Sequence, residues 1–196
     1  MRGLVRVGAA VPSLALGNVK ENMKRHLAMM REAKEKHVSI VTFPELSLTG
    51  YTCGDLFFQR RLLDDVTDAL LALKEEMPEG ILAVVGAPLE IEGALYNCAV
   101  VLHKGEIISA VPKTFLPNNG EFYEKRWFQS GDARRDASVA IPKLKTDVCR
   151  QAIFEMEDGV RFGIELCEDL WAPLPPSTML SVEGAEIILN LSLIHI

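Results

Sequence analysis

Short apolar strings, separated at first by stretches of helical spacing, restrict the fold of this chain more than any other feature. Leu4 to Val11, LVRVGAAV, reads as a strand that Pro12 ends. Arg6 interrupts its apolar run, so the N-terminus reads as strand and loop rather than as a secretion signal. Asn18 is a good helix N-cap with Glu21 as its capping-box partner, and Met23, Leu27, Met30 and Ala33 then recur at helical spacing to about His37. Val38 to Phe43, VSIVTF, is a β-rich run that stops at Pro44. A second amphipathic helix is predicted from about Arg60 to Met77, with Leu62, Leu63, Val66, Leu70 and Leu73 on its apolar face.

Ile81 to Gly86 reads as a buried strand, and Tyr96 to Leu102 and Glu106 to Val111 read as two strands joined by the turn HKGE, where Gly105 supplies the bend. A long loop is expected from Pro112 to about Ala137. Arg161 to Leu166, RFGIEL, is a strand that runs directly into Cys167. Pro175 and Pro176 open a short helix to about Glu183, which Gly184 ends, and Ala185 to Leu191 is a last strand. Strands alternating with helices predict an α/β fold with a mixed sheet. The helices flanking each buried strand would cover only one face of that sheet. Something else, such as a second sheet, must bury the other. A chain of 196 residues suits one domain with a sizeable core.

A net charge of −6 weakens any electrostatic case for nucleic acid. No apolar run approaches the ~20 residues that span a bilayer, so no membrane partner is expected and the cytoplasm is the default compartment. The cysteines Cys53, Cys98, Cys149 and Cys167 form no C-x-x-C pair, and no two histidines have zinc-ligand spacing. Free thiols and no metal site are therefore expected.

Three reactive side chains stand just after apolar strings: Glu45 after VTFP, Lys113 after ISAVP and Cys167 after FGIEL. Sites in α/β sheets form beyond the carboxyl ends of strands, where loops converge. Amide hydrolysis needs a nucleophile, a base, oxyanion donors and a proton for the departing amine. A thiol of ordinary pKa, ~8.5, is only slightly ionised at neutral pH, so a neighbouring base matters. No histidine is close to Cys167 in sequence, but a buried Glu45 with a raised pKa could serve. Lys113 offers a fixed positive charge and the Glu168 N–H a second donor. Each residue alone has a plainer reading. A cysteine after a strand is usually core filler, a glutamate there usually a solvated loop residue or cap, and a lysine usually surface.

The surrounding strings decide between these readings. IVTFPELSLTGY (Ile40 to Tyr51), AVPKTFLPNNGEFYEKRWF (Ala110 to Phe128) and GIELCEDLW (Gly163 to Trp171) resemble the glutamate, lysine and cysteine motifs of the carbon–nitrogen hydrolase (nitrilase) superfamily, in that family's order. TCGDLF and GEFYEKRWF narrow the resemblance to the N-terminal glutaminase domains of glutamine-dependent NAD+ synthetases. The resemblance covers essentially the whole chain to about Ser192. It implies a nitrilase-like α-β-β-α sandwich. It implies that Glu45 is the general base, Lys113 the oxyanion stabiliser and Cys167 the nucleophile that forms a γ-glutamyl thioester. A second glutamate positions the lysine in this superfamily; Glu121 fits its spacing best, with Glu124 as runner-up. Phe122 and Glu168 match positions that help hold glutamine. Asn119 stands where relatives often carry an aromatic residue that contacts glutamine.

The resemblance also implies what else the chain would need. Relatives continue beyond ILNLS, where this sequence reads LIHI, and no Gly-rich ATP-pyrophosphatase loop occurs in it. Residues 1–196 are therefore expected to be a partial, C-terminally incomplete hydrolase domain, with LIHI of uncertain origin. ATP and deamido-NAD+ would bind a synthetase domain that is absent, and the hydrolase step itself would need no cofactor. Glutamine is the expected substrate, and a homo-oligomer the expected full-length assembly. Two alternatives stay open: a stand-alone amidase or nitrilase acting on another small amide or nitrile, and an inactive truncated fragment.

Overall fold

The computed structural model describes residues 4–133, 139–141 and 144–193. Part of the expected 112–137 loop and all but the first residue of LIHI lie outside the described residues. The strands and helices alternate largely as expected, with different ends. Strand β1 (Val7–Ala9) is shorter than the apolar string that announces it. Helix α1 (Val19–Glu35) begins at Asn18, whose side chain accepts the Glu21 N–H at 3.2 Å. The reciprocal half of the capping box is not made, because the Glu21 carboxylate pairs with Arg25. α1 buries Val19, Leu27, Met30 and Ala33, but also Asn22 and His26, while the expected Met23 is only partly buried.

Strand β2 (Ile40–Thr42) leads to the kinked 3-10 segment Tyr51–Phe58 and then to helix α2 (Arg60–Glu76). Leu62, Val66, Ala69, Leu70 and Leu73 form the buried stripe of α2, and Leu63 falls at its half-buried edge. Strand β3 (Leu82–Ile91) runs beyond Gly86 and through Pro88, because β4 (Ala94–His103) pairs along its whole length. β4 turns into β5 (Glu106–Pro112) through Lys104 and Gly105, both at positive φ, which is the geometry of a two-residue hairpin. The expected long loop holds the one-turn helix α3 (Glu124–Trp127) and a 3-10 turn, Gly131–Ala133. Strands β6 (Val139–Ile141), β7 (Thr146–Val148) and β8 (Ile153–Glu155) carry too few residues each for a sequence pattern to reveal them. β9 (Arg161–Leu166) matches its expected bounds, and α4 (Pro176–Val182) and β10 (Ile187–Leu191) follow.

The large sheet has the order β1-β2-β3-β4-β5-β7-β6, and the small one β10-β9-β8. β1, β2 and β3 run parallel, as do β9 and β10. Side chains on successive strand residues point to opposite faces, so one sheet feeds two cores. Val41, Ala83, Val85, Val100 and Leu102 face the core packed with α1 and α2. Ile40, Leu82, Val84, Ala99 and Val101 face Phe162, Ile164, Leu166, Leu189 and Leu191 of the small sheet. That second core is the burial the sequence required for the other face. Among the described residues no helix is long and apolar enough to cross a membrane, and none of the four cysteines is in a disulfide.

Candidate active site

The layering brings the carboxyl ends of β2, β5, β9 and β10 together. Glu45 follows β2, and its backbone N–H donates to Ser192 O just beyond β10, at 3.0 Å. The loop crosses β3 at Gly86. A Cβ there would lie 2.3 Å from Pro44 O and 2.4 Å from Leu46 N, so only glycine lets the loop seat directly on the strand. α1 holds the same loop from its other side. Asn22 Nδ2 donates to Leu48 O at 3.0 Å, and His26 Nε2 lies 2.8 Å from Ser47 Oγ. Among the described residues His26 Nδ1 faces only the Asn22 carbonyl, at 2.7 Å, so Nδ1 carries the proton and Nε2 accepts from the serine. Burial lowers the His26 pKa to about 4, which keeps the ring neutral.

Lys113 follows β5, and its N–H donates to Asn97 O at 2.8 Å. Its ammonium lies 2.6 Å from Glu45 Oε1 and 2.7 Å from Glu124 Oε1, with all three side chains fully buried. Asn97 Nδ2 also donates to Glu45 Oε1, at 2.6 Å, and the Tyr51 hydroxyl donates to Glu124 Oε1 at 2.7 Å. Glu45 Oε2 and Glu124 Oε2 are buried without a hydrogen-bond partner among the described residues. An ammonium has three donors, and two are spent on carboxylates.

Cys167 follows β9 with φ +43, in the left-handed region that non-glycine residues seldom adopt. The buried Asp169 fixes this turn: its carboxylate accepts from Leu166 N at 3.0 Å, Thr114 N at 3.0 Å and Phe115 N at 2.7 Å. One side chain thus ties the loop after Lys113 to the turn that carries Cys167. The Ser192 hydroxyl donates to Cys167 Sγ at 3.4 Å.

Burial raises the Glu45 pKa to about 7; the Glu124 charge adds to the rise, and Lys113 opposes it. For Lys113 burial pulls downward, but the two carboxylates outweigh it and hold the lysine charged. Burial and the nearby Glu45 charge push the Cys167 thiol up, against Ser192 and Lys113. The resting pair is therefore a neutral thiol beside a carboxylate that titrates near neutrality. Such a carboxylate can take a proton in one step and return it in the next.

Glu45, Lys113 and Cys167 come together in this cluster. Glu121 does not join them: it is exposed, and Glu124 occupies the place on the lysine. Linear spacing misjudged this because the chain turns between the two residues. Phe122 N donates to Asn119 O and Glu124 N to Pro117 O, which brings Glu124 inward. Asn119 is exposed on that turn. Phe122 is half-buried, edge-on to Tyr51 at 6.3 Å between ring centroids. Glu168 is half-buried and lines a groove of about 410 Å3 with Phe115, Lys125, Asp132 and Trp171. A larger depression of about 690 Å3 between α1 and α2 contains none of these residues.

Asn97, Tyr51, Asp169 and Ser192 were not among the expected site residues. Asn97 had a signal, as the one amide in the apolar string ALYNCAVVL. Tyr51 and Asp169 lay inside the quoted motifs, where nothing marked them out from their neighbours.

The carbon–nitrogen hydrolase family profile matches residues 6–195. The glutamine-dependent NAD(+) synthetase of Mycobacterium tuberculosis is 37% identical over 193 residues, covering 97% of this chain and 28% of that protein. The Homo sapiens glutamine-dependent NAD(+) synthetase is 31% identical over 182 residues, covering 89% of this chain and 26% of that protein. This chain thus spans little more than a quarter of the length of these relatives. Among solved structures, a glutamine-dependent NAD(+) synthetase from Cytophaga hutchinsonii superposes with a TM-score of 0.84 at 28% identity, covering 97% of this chain and 31% of the other. An amidase from Nesterenkonia sp. shares the fold, with a TM-score of 0.72 at 17% identity over 96% of this chain and 64% of the other.

Proposed function

The chain belongs to the carbon–nitrogen hydrolase family, and from that premise we propose that it hydrolyses the side-chain amide of glutamine through a thioester on Cys167. The observation that carries this reading is Lys113, fully buried between Glu45 and Glu124 at 2.6 and 2.7 Å beside the strained cysteine turn. Apolar side chains in place of the whole buried trio would cost the fold little, so the trio's charges point to chemistry rather than to stability. Lys113 supplies positive charge where an oxyanion would develop.

The thiol is neutral at rest, so attack requires a base. Glu45 Oε1 is already engaged by Lys113 and Asn97, which leaves Oε2 to take the thiol proton. The sulfur bonds to the amide carbon, and the oxyanion rests on Lys113 and on the Glu168 N–H. That N–H lies in the first turn of the 3-10 helix Cys167–Trp171, where N–H groups lack partners within the helix. Glu45 then gives its proton to the amine, the C–N bond breaks and ammonia leaves. Water, deprotonated by Glu45, cleaves the thioester to glutamate and the free thiol. Glu124 holds Lys113 in place, and Phe122, Glu168 and Asn119 border the path of the substrate.

In this reading residues 1–196 all belong to the glutaminase domain. The released ammonia would serve NAD+ formation from deamido-NAD+, with ATP and deamido-NAD+ bound by a synthetase domain such as the relatives' names imply. Support comes from the relatives' shared dependence on glutamine. The test is ammonia release from glutamine by the full-length gene product. Activity is expected in the natural protein and none in a Cys167→Ala form; a Cys167→Ala form that kept releasing ammonia would sink the reading. A natural protein that cleaved other small amides but not glutamine would move it to an amidase.

A further inference from the structure

The catalytic scheme leaves Asp55 without a task, although it lies in TCGDLF, one of the two strings that narrow the resemblance. Its carboxylate accepts from Arg126 Nε at 2.7 Å, Arg126 Nη2 at 2.7 Å and Trp127 Nε1 at 2.9 Å. Both donor residues lie in GEFYEKRWF, the other such string, and both belong to α3. A helix of four residues cannot hold itself together. Backbone bonds from Glu124 N to Pro117 O and from Gln129 N to Leu95 O flank it, and side chains of the 3-10 segment hold it between them. Asp55 grips its last residues, and Phe57 packs on Trp127 and Phe128 with centroids 5.9 and 5.0 Å away. Tyr51, from the start of the same segment, grips its first residue, Glu124. Exposed ion pairs are usually weak, but a two-pronged arginine–carboxylate pair with a third donor is the geometry that fixes position.

We infer that Asp55 is a positioning residue: by anchoring α3 through Arg126 and Trp127 it sets Glu124 against Lys113 and so tunes the Glu45–Lys113–Cys167 site. This rests on the function proposed above. Hydrogen bonds from Arg126 and Trp127 hold the Asp55 carboxyl well below the usual range, so the anchor stays charged at any working pH. Loosening it withdraws one negative charge from a site where Glu45 faces Lys113, Glu124, Asn97 and Cys167. Losing that like charge lowers the pKa of Glu45, the base on which attack by Cys167 depends, so the thiol should become reactive at lower pH.

The experiment compares the natural full-length protein with Asp55→Ala, Arg126→Gln and the double variant. Two readouts are taken: glutamine hydrolysis, and the pH profile of Cys167 alkylation by iodoacetamide, which needs no substrate. Each single variant is expected to lose about tenfold in kcat with KM nearly unchanged, as a misplaced supporting group does. The alkylation profile should move to lower pH by about half a unit. The double variant should be no worse than either single one, because both break one contact. Asp55→Glu should recover part of kcat. An unmoved alkylation profile in both single variants overturns the inference, even if kcat falls. A natural protein whose Cys167 alkylates normally, with the shift in the variants, but which leaves glutamine intact would overturn the glutaminase reading and leave the anchor standing.

Discussion

The two carboxylates that close on Lys113 are held in different ways. Glu45 stands on a loop seated directly on the β3 backbone at Gly86, bonded to Ser192 O, and backed on its other side by the Asn22 and His26 side chains of the long helix α1. Glu124 stands on a single helical turn that, beyond its flanking backbone bonds to Pro117 O and Leu95 O, is held by side chains of the 3-10 segment, Tyr51 at one end and Asp55 at the other. A base that must accept and return a proton at fixed geometry gains from the first mounting. A group that only trims the charge of a lysine can tolerate the second. The difference matches a proton-handling role for Glu45 and a lysine-holding role for Glu124.

The largest expected effect comes from the group both mountings share. Lys113→Met leaves Glu45 and Glu124 buried with no cation, which should destabilise the fold by about 3 to 5 kcal/mol and abolish turnover. Denaturant melts and ammonia assays would show both. Glu45→Gln should fold normally and lose about 10³-fold in kcat, the range for a missing acid–base group. Glu124→Gln should lose only about 10- to 100-fold, more than loosening α3 through Asp55. Equal losses from the two glutamate variants would break the comparison, since both would then be handling protons.

The α1 backing of the Glu45 loop can be probed by pH. His26 has a folded pKa of about 4 against an ordinary 6.5, so between those values the unfolded chain binds the extra proton. Its contribution to stability is full above pH 6.5 and is lost as pH falls toward 4. From pH 7 to pH 5 that loss is roughly 2 kcal/mol. Buried carboxylates such as Asp169, raised by burial to about 6, work in the opposite direction. The relevant measurement is therefore the difference between the natural protein and His26→Gln, whose stability curves should converge toward acid. Parallel curves would mean that His26 titrates normally.

The same contrast explains what the sequence made legible. Alternation of strand and helix patterns, the apolar stripe of α2 and the hairpin at Lys104–Gly105 are local, and they read correctly. Placement after strands made Glu45, Lys113 and Cys167 candidates, and the motif strings around them decided for them; strand ends then bring all three together. Glu124 was misjudged because its place depends on the fold of residues 117–124 and on partners far away in sequence. Asn22 and His26 were hidden because helical spacing marks a buried face by its apolar members, and these two are polar. β7 and β8 borrow their structure from the longer strands β5 and β9, and β6 pairs in turn with β7.

The most direct test is a rapid acid quench of the full-length gene product mixed with glutamine, followed by peptide mass spectrometry. A γ-glutamyl adduct on Cys167 is expected, formed at least as fast as ammonia appears and persisting longer in Glu45→Gln if any forms there. Ammonia release by the natural protein with Cys167 unmodified throughout turnover, or with the adduct on another residue, would contradict the assignment of Cys167 as the nucleophile beside Glu45 and Lys113.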